Sequence, residues 1–256
     1  MNKKNLTYCS ILGTNILVTN MKETVQLIEQ NIETLRGQYI CVSNVHTTVM
    51  GYENKEYQKI QNNAAMALPD GKPLSVVSRK RGYIQAERVT GPDLMRELFE
   101  RENGLRHYFY GGSPETLAKL KENLIKNYPQ IIIAGMVSPP YRTLTDEENK
   151  KDIAAINESG ADILWVGLGA PKQEQWMAAH QGRVNAVMIG VGAGFDYHAG
   201  VIERAPEWMQ KLSLEWLYRL LQDPKRLFKR YWDTNLKFLR LVRKENREIN
   251  GRDNRR

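Results

Sequence analysis

Two hydrophobic periodicities alternate along this chain. Short, nearly all-apolar runs at residues 39–42, 64–68, 107–110, 131–136, 163–167 and 186–190 predict buried β-strands. Between them the apolar positions recur at helical intervals, as at Val25, Leu27, Ile28, Ile32 and Leu35. Helices are predicted over 21–35, 114–127, 146–159 and 172–181, and Pro73 suits the first turn of another. Residues 11–18, interrupted by Gly13-Thr14-Asn15, read as a hairpin. Strands alternating with helices of this length imply an α/β fold with a parallel sheet and right-handed crossovers. Such sheets bind ligands at the carboxyl ends of their strands. The chemically unusual residues follow strands: Asn44, Asp70, Gly111-Gly112, the run from Gly167 to Gln173, and the run from Gly190 to Asp196.

Beyond Arg204 the texture changes. Trp208, Met209, Leu212, Trp216 and Leu220 form an apolar helical stripe, which fits either a fold-back onto the core or an interface between copies. Asp223-Pro224 interrupts the pattern. A segment follows in which Leu227, Phe228, Tyr231, Leu236, Phe238, Leu239 and Val242 interleave with Lys and Arg. The division expected is 1–203 as an α/β core and 204–256 as a basic amphipathic helical appendage, fraying beyond Glu245. Charge sharpens this division. From Arg219 onward stand 13 Lys and Arg against five Asp and Glu, whereas the rest balances at 24 of each. The net +8 therefore belongs to the appendage, and an anionic partner meets the protein there.

Composition narrows the class further. No apolar run approaches the roughly 18 residues of a spanning helix, and MNKKNLTYCS lacks the apolar centre of a secretory signal, so a cytoplasmic protein is expected. Cys9 and Cys41 have no metal or disulfide spacing and read as reduced core thiols. Neither a P-loop nor a G-x-S-x-G elbow is present. No Asp-x-Asp pair or His/Cys/Asp cluster has metal-ligand spacing, so neither metal nor cofactor is expected.

Asp70 sits between proline and glycine at a strand end, where it either caps the following helix or serves as a general base toward a sugar hydroxyl. The run Gly167-Leu168-Gly169-Ala170-Pro171-Lys172-Gln173-Glu174 is either a plain strand-to-helix turn or a place where backbone N–H groups approach phosphate. Gly190-Val191-Gly192-Ala193-Gly194-Phe195-Asp196 spells GxGxG rather than the dinucleotide fingerprint. His180 and His198 lack companions and read as structural histidines. Arg219, Arg226 and Arg230, spaced by seven and four, suit convergence on a phosphate group.

Six blocks in order, LPDGKP, RVTGPDL, FYGGSPE, GLGAPKQE, GVGAGFDYHAG and RAPEWMQKLSLEWLYRL, resemble the WecG/TagA/CpsF glycosyltransferases of family 26, from about Ile11 to about Arg230. The resemblance implies a Rossmann-like core and an inverting, metal-independent enzyme. Its donor would be a UDP-sugar, and its acceptor an undecaprenyl-diphosphate-linked GlcNAc at the inner leaflet of the cytoplasmic membrane. Residue by residue, it implies that Asp70 is the base and that Asn44 and Gln173 belong to the donor pocket. Arg88 matches the arginine of the RxxGxD block, and Arg219, Arg226 and, more loosely, Arg230 match arginines that meet diphosphate. Gly167, Gly169, Gly192 and Asp196 would line the nucleotide. Where teichoic acid members show T-x-N-P-E, this chain has VSNVHTT, which leaves N-acetylmannosamine, its uronic acid and glucose open as the sugar. Two rivals of other classes are a nucleotide-cofactor oxidoreductase, disfavoured by the broken fingerprint, and a membrane-surface or nucleic-acid module acting through the tail alone. Neither accounts for Asp70, Asn44 and Gln173 at strand ends, so no nucleic acid partner is expected.

Overall fold

A computed structural model describes residues 3–206, 208–209, 214–222 and 224–253, without the side chains of residues 4, 219, 225–231, 252 and 253. A 3-10 turn at Lys3–Asn5 precedes the predicted hairpin, β1 (Tyr8–Ile11) and β2 (Thr14–Leu17), paired antiparallel with Tyr8 opposite Leu17. The chain continues through α1 (Met21–Gln30), α2 (Ile32–Leu35), β3 (Tyr39–Ser43), α3 (Val45–Glu53), α4 (Lys55–Asn63) and β4 (Met66–Pro69). Next come α5 (Lys72–Lys80), α6 (Gly91–Phe99), β5 (Arg106–Gly111), α7 (Pro114–Asn127) and β6 (Ile132–Val137). The core closes with α8 (Asp146–Glu158), β7 (Ile163–Gly167), α9 (Lys172–Ala179), β8 (Val187–Gly190) and α10 (Gly194–His198). Last are α11 (Glu215–Gln222) and α12 (Pro224–Asp253).

Strands β3 to β8 form a parallel sheet in the order β4-β3-β8-β7-β5-β6, a Rossmann-like arrangement covered on both faces. Successive side chains alternate between two cores, as strand geometry requires. Tyr39, Cys41, Leu164 and Val166 enter one, whereas Ile40, Val42, Ile163 and Trp165 enter the other. Side-chain caps start several helices: Asn20, Asn44, Asn54, Thr90, Ser113 and Thr145 each accept from a first-turn N–H.

Three departures from the sequence expectation have local causes. The helix predicted over 21–35 breaks at Asn31, whose side-chain amide donates to the Leu27 carbonyl at 2.9 Å. Helices α3, α4 and α6 stand where no element was predicted. In α3 the β-branched Thr47 and Thr48 look strand-like, yet both bond the Asn44 carbonyl in the first turn. The third departure is the appendage, which does not fray beyond Glu245 but remains helical to Asp253. Glu245 accepts from the Leu12 N–H at 3.0 and 3.2 Å and pairs with Arg81 at 2.6 Å. Phe238 and Val242 are buried in the same core as Leu12 and Val49, and Lys237 pairs with Glu53. The tail's apolar stripe is thus split. One side packs on the body, while Trp232, Leu236 and Leu239 stay exposed. Of the stripe nearer the core, Met209 is buried and Trp208 and Trp216 are exposed; Leu212 lies outside the described residues. Among the described residues, no helix is long and apolar enough to cross a membrane.

Candidate active site

The carboxyl ends of β3, β4, β7 and β8 share one edge of the sheet, and Asp70 stands there directly after β4. Its backbone is pinned: the Asp70 N–H donates to the Ser43 carbonyl at 2.7 Å. That bond sets Asp70 beside Asn44. The Asn44 side chain works twice, its oxygen accepting from the His46 and Thr47 N–H groups to cap α3 while it also bonds the Asp70 carboxyl. On the other side, the Val89 N–H donates to the Pro69 carbonyl at 2.9 Å and brings Arg88 alongside. Helix α5 begins after Gly71 without a side-chain cap, so capping is not what Asp70 does here.

Around Asp70 lies a compact charge network. Arg88 pairs with Glu215 at 3.1 Å and approaches Asp93 at 4.0 Å. Arg204 forks onto Asp93 at 2.7 and 3.2 Å and reaches the second Glu215 oxygen at 3.6 Å. Thr90 caps α6 and donates to Asp93 at 2.6 Å. Asp70 is pushed up to about 6: burial raises it most, Arg88 opposes, Glu215 raises it, the Asn44 hydrogen bond opposes, and Asp93 adds to the rise. For Asp93, burial acts upward, but the Arg204 and Thr90 hydrogen bonds and the Arg204 and Arg88 charges hold it below its usual value. Two adjacent carboxyls thus have opposite fates. Asp93 is a fixed anion, whereas Asp70 is poised to take and release a proton near neutrality.

Across the sheet from Asp70 are the glycine loops. Strand β3 separates β4 from β8, so two strand spacings of about 10 Å lie between the Asp70 edge and the loop after Gly190. Gly169 (φ +74°) and Gly192 (φ +55°) adopt left-handed backbone and have open space where a Cβ would be. Gly167 differs, because a Cβ there would meet the Phe195 ring at 2.8 Å; it is a packing glycine. Gln173 is only 3% exposed. Its oxygen accepts from the Gly192 N–H at 3.0 Å and its nitrogen donates to Glu174 at 2.8 Å, so it reaches the site through the loop it holds. Asp196 stands in α10, with its carbonyl accepting from the Val201 and Ile202 N–H groups. The α6 start presses on this loop too, since a Cβ at Gly91 would lie 3.1 Å from the Val191 carbonyl oxygen.

The structure therefore brings together Asp70, Asn44 and Arg88 on one side and Gly169, Gly192 and Gln173 on the other. Helices α11 and α12 carry Arg219, Arg226 and Arg230, whose side chains lie outside the described residues. His198 bonds the Pro92 carbonyl at 2.9 Å and His180 the Trp176 carbonyl at 2.7 Å, in keeping with structural roles. Sequence reasoning missed Asp93, Arg204 and Glu215 as members of the site. For Asp93 the signal was present as Thr90-Gly91-Pro92-Asp93, a helix-start signature, whereas Arg204 and Glu215 stand among other charges, Glu207, Lys211 and Arg219, and no local pattern singles them out.

The model of the "Glycosyl transferase WecG/TagA/CpsF family" matches residues 9–252. A protein of Bacillus spizizenii (strain ATCC 23059 / NRRL B-14472 / W23) is 31% identical over 194 residues, covering 75% of this chain and 74% of the relative. One of Bacillus subtilis (strain 168) is 30% identical over 213 residues, covering 80% of each. Both relatives are named N-acetylglucosaminyldiphosphoundecaprenol N-acetyl-beta-D-mannosaminyltransferase.

Proposed function

Because this chain belongs to the WecG/TagA/CpsF family of glycosyl transferases, we propose that it moves N-acetylmannosamine from a UDP-sugar to a lipid-diphosphate-linked GlcNAc, inverting the anomeric carbon. The observation that carries this reading is the placement of Asp70 at the strand-end edge, pinned to Ser43 and held beside Asn44 and Arg88, with its carboxyl raised to about 6 by burial. Inversion needs one base. Asp70 takes the proton of the acceptor hydroxyl as its oxygen attacks the anomeric carbon, and UDP leaves from the opposite face. The bond to UDP breaks as the new glycosidic bond forms, and the proton rests on Asp70 until solvent removes it.

UDP lies along the walls made by Gly169 and Gly192, where left-handed glycines and open space admit a phosphate close to the backbone. Gln173 orders that wall through the Gly192 N–H. The leaving diphosphate is met by arginines and backbone donors without metal, with Arg219, Arg226 and Arg230 as the appendage's contribution. The names of the two Bacillus relatives support the acceptor and the sugar.

The core of 1–203 carries the chemistry, and the appendage of 204–256 delivers it to the acceptor. Exposed Trp232, Leu236 and Leu239 beside exposed Arg240, Arg243 and Lys244 suit a peripheral seat on an anionic leaflet. Each basic residue near such a surface adds about 1 kcal/mol. The test is UDP release from a panel of UDP-sugars, with and without a soluble lipid-diphosphate-GlcNAc analogue, in EDTA. Acceptor-dependent release from UDP-N-acetylmannosamine is expected. Release from UDP-glucose or the uronic acid donor alone would reassign the sugar, and no release from any donor would remove the transferase reading.

A further inference from the structure

The appendage touches the catalytic edge at a point of unusual design. Glu215 opens α11, outside the α/β core, and its side chain is only 17% exposed. It sends one carboxylate oxygen to Arg88 at 3.1 Å and the other toward Arg204 at 3.6 Å. Among the described residues Arg88 is the cation whose charge acts on Asp70, with no direct ion pair between them, and Arg204 is fixed by its fork onto Asp93. Asp93 is in turn fixed by Thr90 at the start of α6. A second tie holds the same helix, because Tyr218 and Gln222 both reach Glu203 at 3.3 Å. An anionic group clamped between two arginines that already serve Asp93 and Asp70 would be costly to bury without a purpose.

We propose that Glu215 is a positioning residue: by bridging Arg88 and Arg204, it holds α11 closed over the Asp70 edge and couples the appendage's seat to the reactive geometry. When the appendage is docked, Glu215 fixes the Arg88 guanidinium beside Asp70, and the Arg88 charge sets the field in which the Asp70 carboxylate meets the acceptor. When the appendage lifts, Arg88 loses its shorter ion pair, keeps only Asp93 at 4.0 Å, and no longer holds a fixed place beside Asp70. Arrival of the lipid-borne acceptor, which the appendage attends, is thereby linked to readiness of the base. The charged and titratable groups facing Asp70 are Arg88, Asp93 and Glu215, with Asn44 as the polar partner. Removing the Glu215 charge withdraws one of the influences that raise Asp70.

This inference rests on the transferase reading above, and the wild-type enzyme tests that reading separately. The experiment measures acceptor-dependent UDP release by full-length wild type, Glu215→Gln and Glu215→Asp across pH 4.5–9, with thermal unfolding alongside. Glu215→Gln is expected to lower kcat by up to about 10²-fold, the cost of a misplaced reacting group, while donor KM changes little. Its acid limb is expected to move below the wild-type midpoint of about pH 6. Glu215→Asp keeps the charge on a shorter reach, so it is expected to leave the limb in place while kcat stays low. A folded Glu215→Gln enzyme with wild-type kcat would overturn the proposal, and so would a faster one, which would mean that the carboxylate merely blocks substrate. A lower kcat with an unmoved acid limb would also overturn it, reducing Glu215 to a structural tie. An inactive wild type would instead remove the transferase reading.

Discussion

Replacing Asp70 with asparagine is expected to destroy activity while making the protein more stable at neutral pH. Asparagine keeps the shape of the side chain but cannot take a proton. General-base catalysis contributes about 10²–10⁴-fold, or ~2.7–5.5 kcal/mol of barrier, and kcat is expected to fall by that factor. The stability effect follows from linkage. The folded-state value of about 6 stands above the ordinary 3.8, so the folded protein binds this proton more tightly than the unfolded chain. The resulting stabilisation is complete below the unfolded value and is lost as pH rises through the folded one. A shift of about two units corresponds to ~3 kcal/mol at pH 7–8, as an upper figure for a group that retains some exposure. Asparagine carries no such burden. Asp70→Asn is thus expected to unfold at higher temperature than wild type at pH 8, by a few degrees for each kcal/mol in a chain of this size. At pH 3, below the unfolded value, the two proteins should coincide. The assays are acceptor-dependent UDP release and paired thermal scans at both pH values. Full activity in the variant would refute the base assignment. A variant less stable than wild type at pH 8 would refute the burial argument.

Further outcomes follow from the same geometry. In wild type, kcat is expected to fall on the acid side with a midpoint of about pH 6, since only ionised Asp70 accepts the proton; a flat profile between pH 5 and 8 would contradict this. Gln173→Leu leaves the Gly192 N–H without its partner, and losing such a bond costs about 1–3 kcal/mol. Donor KM should therefore rise roughly 5- to 160-fold, as read by titration with UDP or the UDP-sugar. Truncating buried Phe238 to alanine should cost about 3–5 kcal/mol, and hydrogen exchange should show the loss in α12 before the sheet. A Trp232→Ser/Leu236→Ser variant should bind anionic vesicles at least about tenfold more weakly, with UDP binding by the soluble protein unchanged.

Much of this fold could be read from periodicity because the sheet is buried on both faces. Strands such as β7, with Ile163, Leu164, Trp165 and Val166 all fully buried, leave no polar residue to blur the pattern. Helix α7 was bounded by its own cap, Ser113 with Pro114. Helices α3 and α6 were harder to read. The first turn of α3 is filled by threonines that bond their own backbone. That of α6 is governed by a Thr90–Asp93 pair that also belongs to the site. Asp70 and Asn44 were visible because strand-end position is a local property. The tie from Asp70 to Ser43, the Val89–Pro69 bond and the Glu215 bridge to Arg88 join residues 20 to 127 positions apart, and no local pattern encodes such contacts. Gln173 stands at the glycine loops as its place after β7 suggests, but its hold on the Gly192 N–H was not legible, because burial under a neighbouring loop is a tertiary fact.

The most direct test of the account is the anomeric configuration of the product formed from UDP-N-acetylmannosamine and the lipid-diphosphate-GlcNAc analogue, read from the one-bond carbon–proton coupling at the new linkage. The account, with Asp70 as the sole base, predicts a single product whose anomeric carbon is inverted relative to the donor. A product with retained configuration would contradict it, as would UDP release that forms no new linkage.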